Sequence, residues 1–227
     1  MERAMVLGGS GALGTAVCRA LLTAGYETHA TAGSQRSGDA LRNDANLGGL
    51  RVHVADLTQD ADTDELFKGV GPLAALVSTI GGFTMGPIAE LTGEAIDAMV
   101  TLNIKTTLLG LKAAHPHLKA SQNGATVALV GAKSALTGGA GVALYSATKA
   151  AVVNIALSAA DEWKADGISV NAVLPSIFDT PANRQAMPAA NFSLWPKPEE
   201  IADVAAFLVS KKGRIVSGGV IPVYGSS

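Results

Sequence analysis

A phenol and an amine stand four residues apart in Tyr145-Ser146-Ala147-Thr148-Lys149 of this 227-residue chain. That spacing puts both on one face of a helix. A phenol ordinarily gives up its proton near pH 10 and is a poor acid at neutrality. An ammonium ~5 Å away, at an effective dielectric of about 20, is worth roughly 3 kcal/mol, or ~2 pKa units. Tyr145 would then be a usable proton donor, with Lys149 as the cation that makes it one. A second constellation lies far upstream, in Gly8-Gly9-Ser10-Gly11-Ala12-Leu13-Gly14. It satisfies G-x-G-x-x-G through Gly9, Gly11 and Gly14, and G-x-x-G-x-x-G through Gly8, Gly11 and Gly14. Such glycines let backbone approach a pyrophosphate, whose charge meets the free N–H groups and positive dipole end of a helix starting at Ala12. Between a strand and a helix, the loop predicts a dinucleotide site. A plain tight turn would need only one or two of these glycines.

The sequence after the second predicted strand bears on which dinucleotide. His29-Ala30-Thr31-Ala32-Gly33-Ser34-Gln35-Arg36 contains no carboxylate. An acid there binds the ribose 2′-hydroxyl of NAD and would repel a 2′-phosphate, whereas Ser34 can donate a hydrogen bond and Arg36 a guanidinium fork. NADP is the expected cofactor, with NAD left open. So is the plainer possibility that Arg36 is a solvated loop residue.

Short apolar runs alternate with longer helical patterns, which is the signature of βαβ units around a parallel sheet. Seven strands are predicted, at 4–7, 27–31, 51–54, 74–78, 126–130, 169–173 and 220–223. Helices are predicted over 12–24, 41–47, 62–69, 94–119, 145–165 and 198–211. With neither a repeat nor a composition break, residues 1–227 read as one α/β domain. The expected fold is a single-domain Rossmann fold: a doubly wound seven-stranded parallel sheet with helices on both faces and a ligand crevice at the strands' carboxyl ends.

Composition narrows the partners. Charged residues make up 16%, against about 25% in an ordinary soluble protein, and the net charge is −2 with 10 aromatic residues. That supplies neither the basic field nor the stacking platforms of a nucleic-acid binder. The uncharged run 69–89 is 21 residues long, enough to cross a bilayer. Its glycines and prolines would leave backbone groups unpaired in lipid, so strand plus loop is expected and no membrane partner. A lone Cys18 and the absence of a signal-like N-terminus suit the cytoplasm. His115-Pro116-His117 lacks the further ligands of a metal site, so no metal is expected. Asp60, Asp62, Asp64 and Glu65 read as charges offsetting a helix dipole.

Taken in order, these motifs resemble the short-chain dehydrogenase/reductase family along essentially the whole chain. They are the Gly8–Gly14 loop, Asp56-Leu57, Asn103, Tyr145/Lys149, Asn171-Ala-Val-Leu-Pro175 with Thr180, and Val216–Val223. The resemblance implies hydride transfer between a nicotinamide and a small carbonyl- or imine-like substrate. It implies Tyr145 as acid/base, Lys149 holding the nicotinamide ribose and lowering the Tyr pKa, and Asn103 in the proton relay. Asp56 and Leu57 would lie beside adenine and Ile177 and Thr180 on the carboxamide. Thr79, Ile80, Gly81 and Pro175 would line the rest of the cofactor site. A homodimer or homotetramer, joined through 94–119 and 145–165, is also implied.

One departure matters. The family usually carries a Ser thirteen residues before the Tyr, where it hydrogen-bonds the substrate carbonyl, and here that position is Ala132. Ser134 could replace it only if the loop rearranged. Together with Gly81-Gly-Phe83, Gly131-Ala-Lys-Ser-Ala-Leu136, Asp179–Arg184 and Asn191–Trp195, this resembles the quinonoid dihydropteridine reductase branch, which also lacks that Ser. A quinonoid pterin is already electron-poor, so its reduction needs less polarisation. Phe83 and Trp195 would supply flat apolar walls, Lys133 and Ser134 would complete the substrate side, and 181–198 would form a mobile lid. The alternatives are a general carbonyl or 3-oxoacyl reductase, and a dinucleotide sensor without chemistry.

Overall fold

The computed structural model describes all 227 residues. Seven strands, β1 (Arg3–Leu7), β2 (Glu27–Ala32), β3 (Arg51–Val54), β4 (Ala75–Ser78), β5 (Ala125–Val130), β6 (Ile168–Pro175) and β7 (Val220–Val223), form one sheet. Its order is β3-β2-β1-β4-β5-β6-β7, and every pairing is parallel. Because side chains alternate along a strand, each strand feeds two cores. Met5, Leu7, Leu76, Val127, Leu129, Val170 and Leu174 pack on one face, and Ala4, Val6, Ala30, Val77, Ala128 and Val173 on the other.

The first core is closed by α3 (Asp60–Lys68), α5 (Thr106–Lys119) and α7 (Ala143–Glu162), with Phe67 and Leu118 fully buried. The second is closed by α1 (Ala12–Thr23) and α9 (Pro198–Leu208), which pack together through Val17, Leu21, Ile201 and Ala205. Strand order reverses between β1 and β4. Their carboxyl ends therefore flank a crevice, where open α/β sheets bind ligands. The 21-residue uncharged run contributes β4 to that crevice, followed by the loop 79–87.

The structure corrects several predicted boundaries. The early helix expected over 41–47 is α2 (Gln35–Arg42) followed by a 3-10 turn at Ala45–Leu47. Ser34 starts α2 by accepting a hydrogen bond from Ser37 N, a cap outweighing the weak apolar pattern there. The long helix expected over 94–119 is interrupted: α4 (Gly93–Val100) runs into a π-helical turn at Thr101–Lys105 and then α5. A π turn widens the helix and leaves carbonyls without their usual i+4 N–H. Thr106 and Thr107 supply the missing donors, to Leu102 O and Asn103 O, each at 2.7 Å. Two short helices, α6 (Ser134–Thr137) and α8 (Pro181–Ala186), were not foreseen. Of the four acids expected to offset a helix dipole, Asp60 and Asp62 sit in the first turn of α3 while Asp64 and Glu65 lie beyond it, and Lys112 reaches across to Asp60 at 2.6 Å. His115 bonds Asp166 and His117 the Gly71 carbonyl, each at 2.9 Å.

Candidate active site

β1 hands over to α1 through a turn at Gly8, whose φ of +84° is a left-handed conformation natural to glycine. Packing leaves no room for a side chain at Gly9 or Gly14. A Cβ on Gly14 would collide with the Gly8 carbonyl oxygen, and one on Gly9 would lie 2.6 Å from the Ala30 methyl. Two threonines pin the loop: Gly8 N donates to Thr31 Oγ1 at 2.9 Å, and Thr79 Oγ1 donates to Gly8 O at 3.0 Å. α1 has no side-chain cap and no acid in its first turn, and Thr15 N→Gly11 O (2.8 Å) is its first closing bond. The N–H groups of Ala12, Leu13 and Gly14 are left for an anion, and the exposed Ser10 and Gly11 lie at the cradle's mouth. The cradle fits a pyrophosphate.

At the end of β2, Ala32 is buried and followed by exposed Gly33, Ser34, Gln35 and Arg36. No carboxylate stands in this stretch. The Ser34 hydroxyl also meets the Ser37 hydroxyl at 2.9 Å, so Ser37 joins Ser34 and Arg36 as a polar group at the start of α2. After β3, the Asp56 carboxylate accepts from Thr58 N (3.0 Å) and Thr58 Oγ1 (2.7 Å), which hold its pKa below the ordinary range. Leu57 beside it is buried.

Across the crevice, four elements meet at Gly81. A Cβ there would lie 2.6 Å from Asn103 Oδ1 and 2.7 Å from Lys149 Nζ, so only glycine lets the two side chains approach this backbone. The π turn points Asn103 inward, where it is fully buried. Its Oδ1 accepts from Gly82 N at 2.9 Å, and its Nδ2 donates to Gly82 O (3.3 Å) and Thr148 Oγ1 (2.8 Å). Thr148 in turn donates to the Tyr145 carbonyl at 2.9 Å. Lys149, 5% exposed, donates to Val130 O at 2.9 Å and has no carboxylate partner. One acceptor leaves the ammonium with donors to spare for ligand hydroxyls. Lys149, Asn103 and Gly81 are thus brought together at the crevice the glycine loop opens, and Tyr145, one turn before Lys149 on α7, sets its ring on Phe83. Thr148, Gly82, Val130, Thr31 and Ser37 join the site without having been expected. Thr148, Gly82 and Thr31 stand inside the motifs quoted above and Val130 ends a predicted strand, while Ser37 left no trace in the sequence.

The expected electrostatics need correction. Burial raises the Tyr145 phenol above its ordinary value, and the same cause pushes the Lys149 ammonium down to about 8. Desolvation of both groups outweighs their attraction in the protein alone.

On the substrate side, Phe83 sets its ring against Tyr145, edge to face, with centroids 4.9 Å apart. Ala132 is buried. The Ser134 hydroxyl is buried as well and has no hydrogen-bond partner in the protein. Lys133 turns away, donating to Ser227 O at 2.9 Å with Tyr224's ring 4.9 Å beneath its ammonium. Pro175 ends β6, Ile177 is exposed, and Thr180 caps α8 by accepting from Asn183 N. The segment expected to be a mobile lid holds a chain of contacts: Asp179 grips Arg184 through both carboxylate oxygens (2.6 and 2.7 Å), Arg184 lies over Phe192, and Phe192 packs on Trp195. Trp195 therefore takes Phe192, not Phe83, as its aromatic partner.

Two outcomes follow for stability. The unfolded chain holds the Lys149 proton up to about 10.5 and the folded protein only to about 8. Between those values the unfolded state binds more protons, so folding stability must rise with pH by up to about 3 kcal/mol. Lys149→Met should be the more stable protein at pH 7 and should lose most of that advantage by pH 10. Urea titrations across this range measure the difference, and a pH-independent gap would show that the ammonium is not desolvated. Thr148→Val strands the Asn103 donor and should lower stability by about 1–3 kcal/mol, with Thr148→Ser restoring most of it in the same titration.

A family model described as short chain dehydrogenase matches residues 2–191. A tropinone reductase homolog from Arabidopsis thaliana is 28% identical over 98% of this chain and 78% of its own length. Among solved structures, a short-chain type dehydrogenase/reductase from Mycobacterium ulcerans superposes with a TM-score of 0.91 and 26% identity, covering 99% of this chain and 89% of its own. The fold is also shared with ElxO, solved with NADP bound, at a TM-score of 0.89 and 22% identity over 99% and 98% of the two chains. With both halves of the crevice in place and the match running through them, the chain belongs to the short-chain dehydrogenase/reductase family of NAD(P)-dependent oxidoreductases.

Proposed function

We propose that the protein reduces a small conjugated imine or carbonyl with NADPH, and that a quinonoid dihydropteridine is a substrate of this class. The observation that carries the reading is the meeting of Lys149 and Asn103 over Gly81, two residues before Phe83, whose ring packs on that of Tyr145. When bound, the reduced nicotinamide supplies a hydride. The chain's own residues do the rest. The first turn of α1 holds the pyrophosphate, Ser34, Ser37 and Arg36 take the 2′-phosphate, and Asp56 and Leu57 flank the adenine. Thr79, Ile80, Pro175, Ile177 and Thr180 line the nicotinamide end. Lys149 offers its spare donors to the ribose hydroxyls. Tyr145 keeps its phenolic proton through neutral pH and donates it to the substrate, and Asn103 belongs to the relay that returns it.

Ala132 supports the conjugated class. With no hydroxyl at this position to polarise a carbonyl, an electron-poor π-system is reduced more readily than an isolated ketone. Phe83, set against Tyr145, offers such a ring a flat apolar wall. The tropinone reductase homolog favours a second reading, reduction of an unconjugated ketone. Self-association through α4, α5 and α7 fits the exposed Ile96, Val100, Leu108 and Leu157 on those helices.

The reading is tested by following reduced-nicotinamide absorbance with quinonoid dihydropteridine and a panel of simple ketones; turnover of the ketones but not of the pterin would reject the conjugated class. Tyr145→Phe should lower kcat by about 10²–10⁴ with the NADPH Kd within about twofold of wild type, and an unchanged rate would remove Tyr145 from the mechanism. Arg36→Ala should raise KM for NADPH about tenfold, a loss of about 1.4 kcal/mol, with little change for NADH. Equal effects on the two cofactors would refute its role at the 2′-phosphate.

A further inference from the structure

The mouth of the crevice is built from segments with almost no charge. Residues 78–89, 131–148 and 171–196 contain three charged side chains, Lys133, Asp179 and Arg184. None is free to meet a charged substrate. Asp179 and Arg184 neutralise each other in a two-pronged pair, and the Lys133 ammonium rests on Tyr224 and the Ser227 carbonyl. In place of charge, the mouth presents hydrocarbon. Six of the fifteen large apolar side chains that this protein leaves exposed, Phe83, Met85, Ile88, Leu136, Ile177 and Leu194, belong to these three segments. Phe83, Met85, Ile88 and Leu136 are 66%, 70%, 71% and 60% exposed.

This apolar lip is continuous with the catalytic side of the crevice. Phe83 lies on the Tyr145 ring, and three residues on, Gly86 N donates to Gly141 O at 2.7 Å. Met85 faces the Gly141 backbone, four residues before Tyr145. Leu136 is carried by α6, which packs on α7, the helix bearing Tyr145 and Lys149. Exposed hydrocarbon at Phe83 and Met85, with Ile88 further along the same loop and Leu136 on α6, is placed to be covered by whatever is reduced beside Tyr145, because exposed apolar surface at a crevice marks a binding site and buries favourably against an apolar partner.

We propose that the substrate is uncharged and largely apolar, with its reducible conjugated head laid against the Phe83–Tyr145 pair and its hydrocarbon remainder over Met85, Ile88 and Leu136. The inference rests on the reductase reading above and narrows it: within the conjugated class, members bearing hydrocarbon are preferred and members bearing an acid or phosphate near the head are rejected. A carboxylate or sulfonate would leave water for a surface whose one nearby cation, Lys149, is buried and on the proposed reading gives its donors to the ribose.

The probes are 2-naphthol and 2-naphthol-6-sulfonate, a flat bicycle without and with a charge, titrated calorimetrically into the NADP⁺-loaded protein. 2-Naphthol should bind at least about tenfold more tightly than its sulfonate. Ile88→Asp and Leu136→Asp should each weaken 2-naphthol about tenfold, and Ile88→Gln about threefold, with NADP⁺ affinity unchanged. Equal affinity for the two probes, or variants that bind 2-naphthol as the wild type does, would overturn the proposal. If the lip instead joins two copies of the chain, sedimentation will show a concentration-dependent dimer that both Asp variants dissociate while naphthol affinity stays constant, and that result also overturns it. Turnover of 1,2-naphthoquinone, and its loss in Tyr145→Phe, reports separately on the reductase reading: binding can fail while reduction persists, and reduction can fail while binding holds.

Discussion

Lys149 carries its ammonium into the interior at the carboxyl end of β5, where the Val130 carbonyl is its protein acceptor and no carboxylate offsets its charge. Burying a lone cation is costly, and its pKa of about 8 is the measure of that cost. The surrounding structure is arranged so that this cation stands beside the crevice without being neutralised. Gly81 has no side chain because one would strike Lys149 and Asn103 together. Asn103 arrives on a π turn, an irregularity that two threonine hydroxyls stabilise, and its carboxamide is satisfied on both atoms. A carboxylate in place of Asn103 would pair with Lys149 and take up the donors meant for a ligand. The neutral amide fixes the Gly81-Gly82 backbone and leaves the cation available.

The parallel sheet makes this arrangement possible. Its strands are buried on both faces, which calls for apolar runs in sequence, and the low charge content noted at the outset is the cost of seven such strands. All strands point the same way, so the chain leaves each at one rim, and loops following β1, β4, β5 and β6 converge there though they are far apart in sequence. Thr79 shows the coupling directly. It follows β4, yet its hydroxyl holds the carbonyl of Gly8 at the end of β1. The phosphate cradle and the Gly81 backbone are thus tied across the switch point through a few residues.

What could be read beforehand followed from how local each feature is. The glycine loop and the Tyr145/Lys149 pair are legible because one turn of chain holds all the geometry they need. Strand positions were legible because two-sided burial leaves continuous apolar runs, and β3 and β7 match to the residue. The start of α2 was missed because its signal is a Ser34 cap, with too few apolar residues to set a period. The π turn at 101–105 has no sequence signature apart from its tertiary partners. Thr148 is visible as a residue, but its bridge to Asn103 spans 45 positions and only the fold reveals it. The lowered phenol pKa failed for a different reason. It assumed a dielectric typical of partly solvated pairs, whereas both groups are buried enough that losing water dominates.

That correction changes how the site must work. In the protein alone, Tyr145 is a weaker acid than a free phenol and Lys149 is charged only up to about pH 8. A site that lowered its phenol's pKa in advance could drive protonation of a poorly activated carbonyl; this one cannot do so unaided. It also lacks a hydroxyl at Ala132, and the Ser134 hydroxyl is buried. Both means of polarising a substrate are therefore weak, and the remaining source of reactivity is the substrate itself. On the reading proposed above, conjugation supplies it by lowering the energy at which the π-system accepts a hydride, and the developing negative charge would then draw the proton from Tyr145. A flat, electron-poor substrate is also the kind that a wall such as Phe83 holds without hydrogen bonds, so the absent donors and the exposed hydrocarbon select the same chemistry.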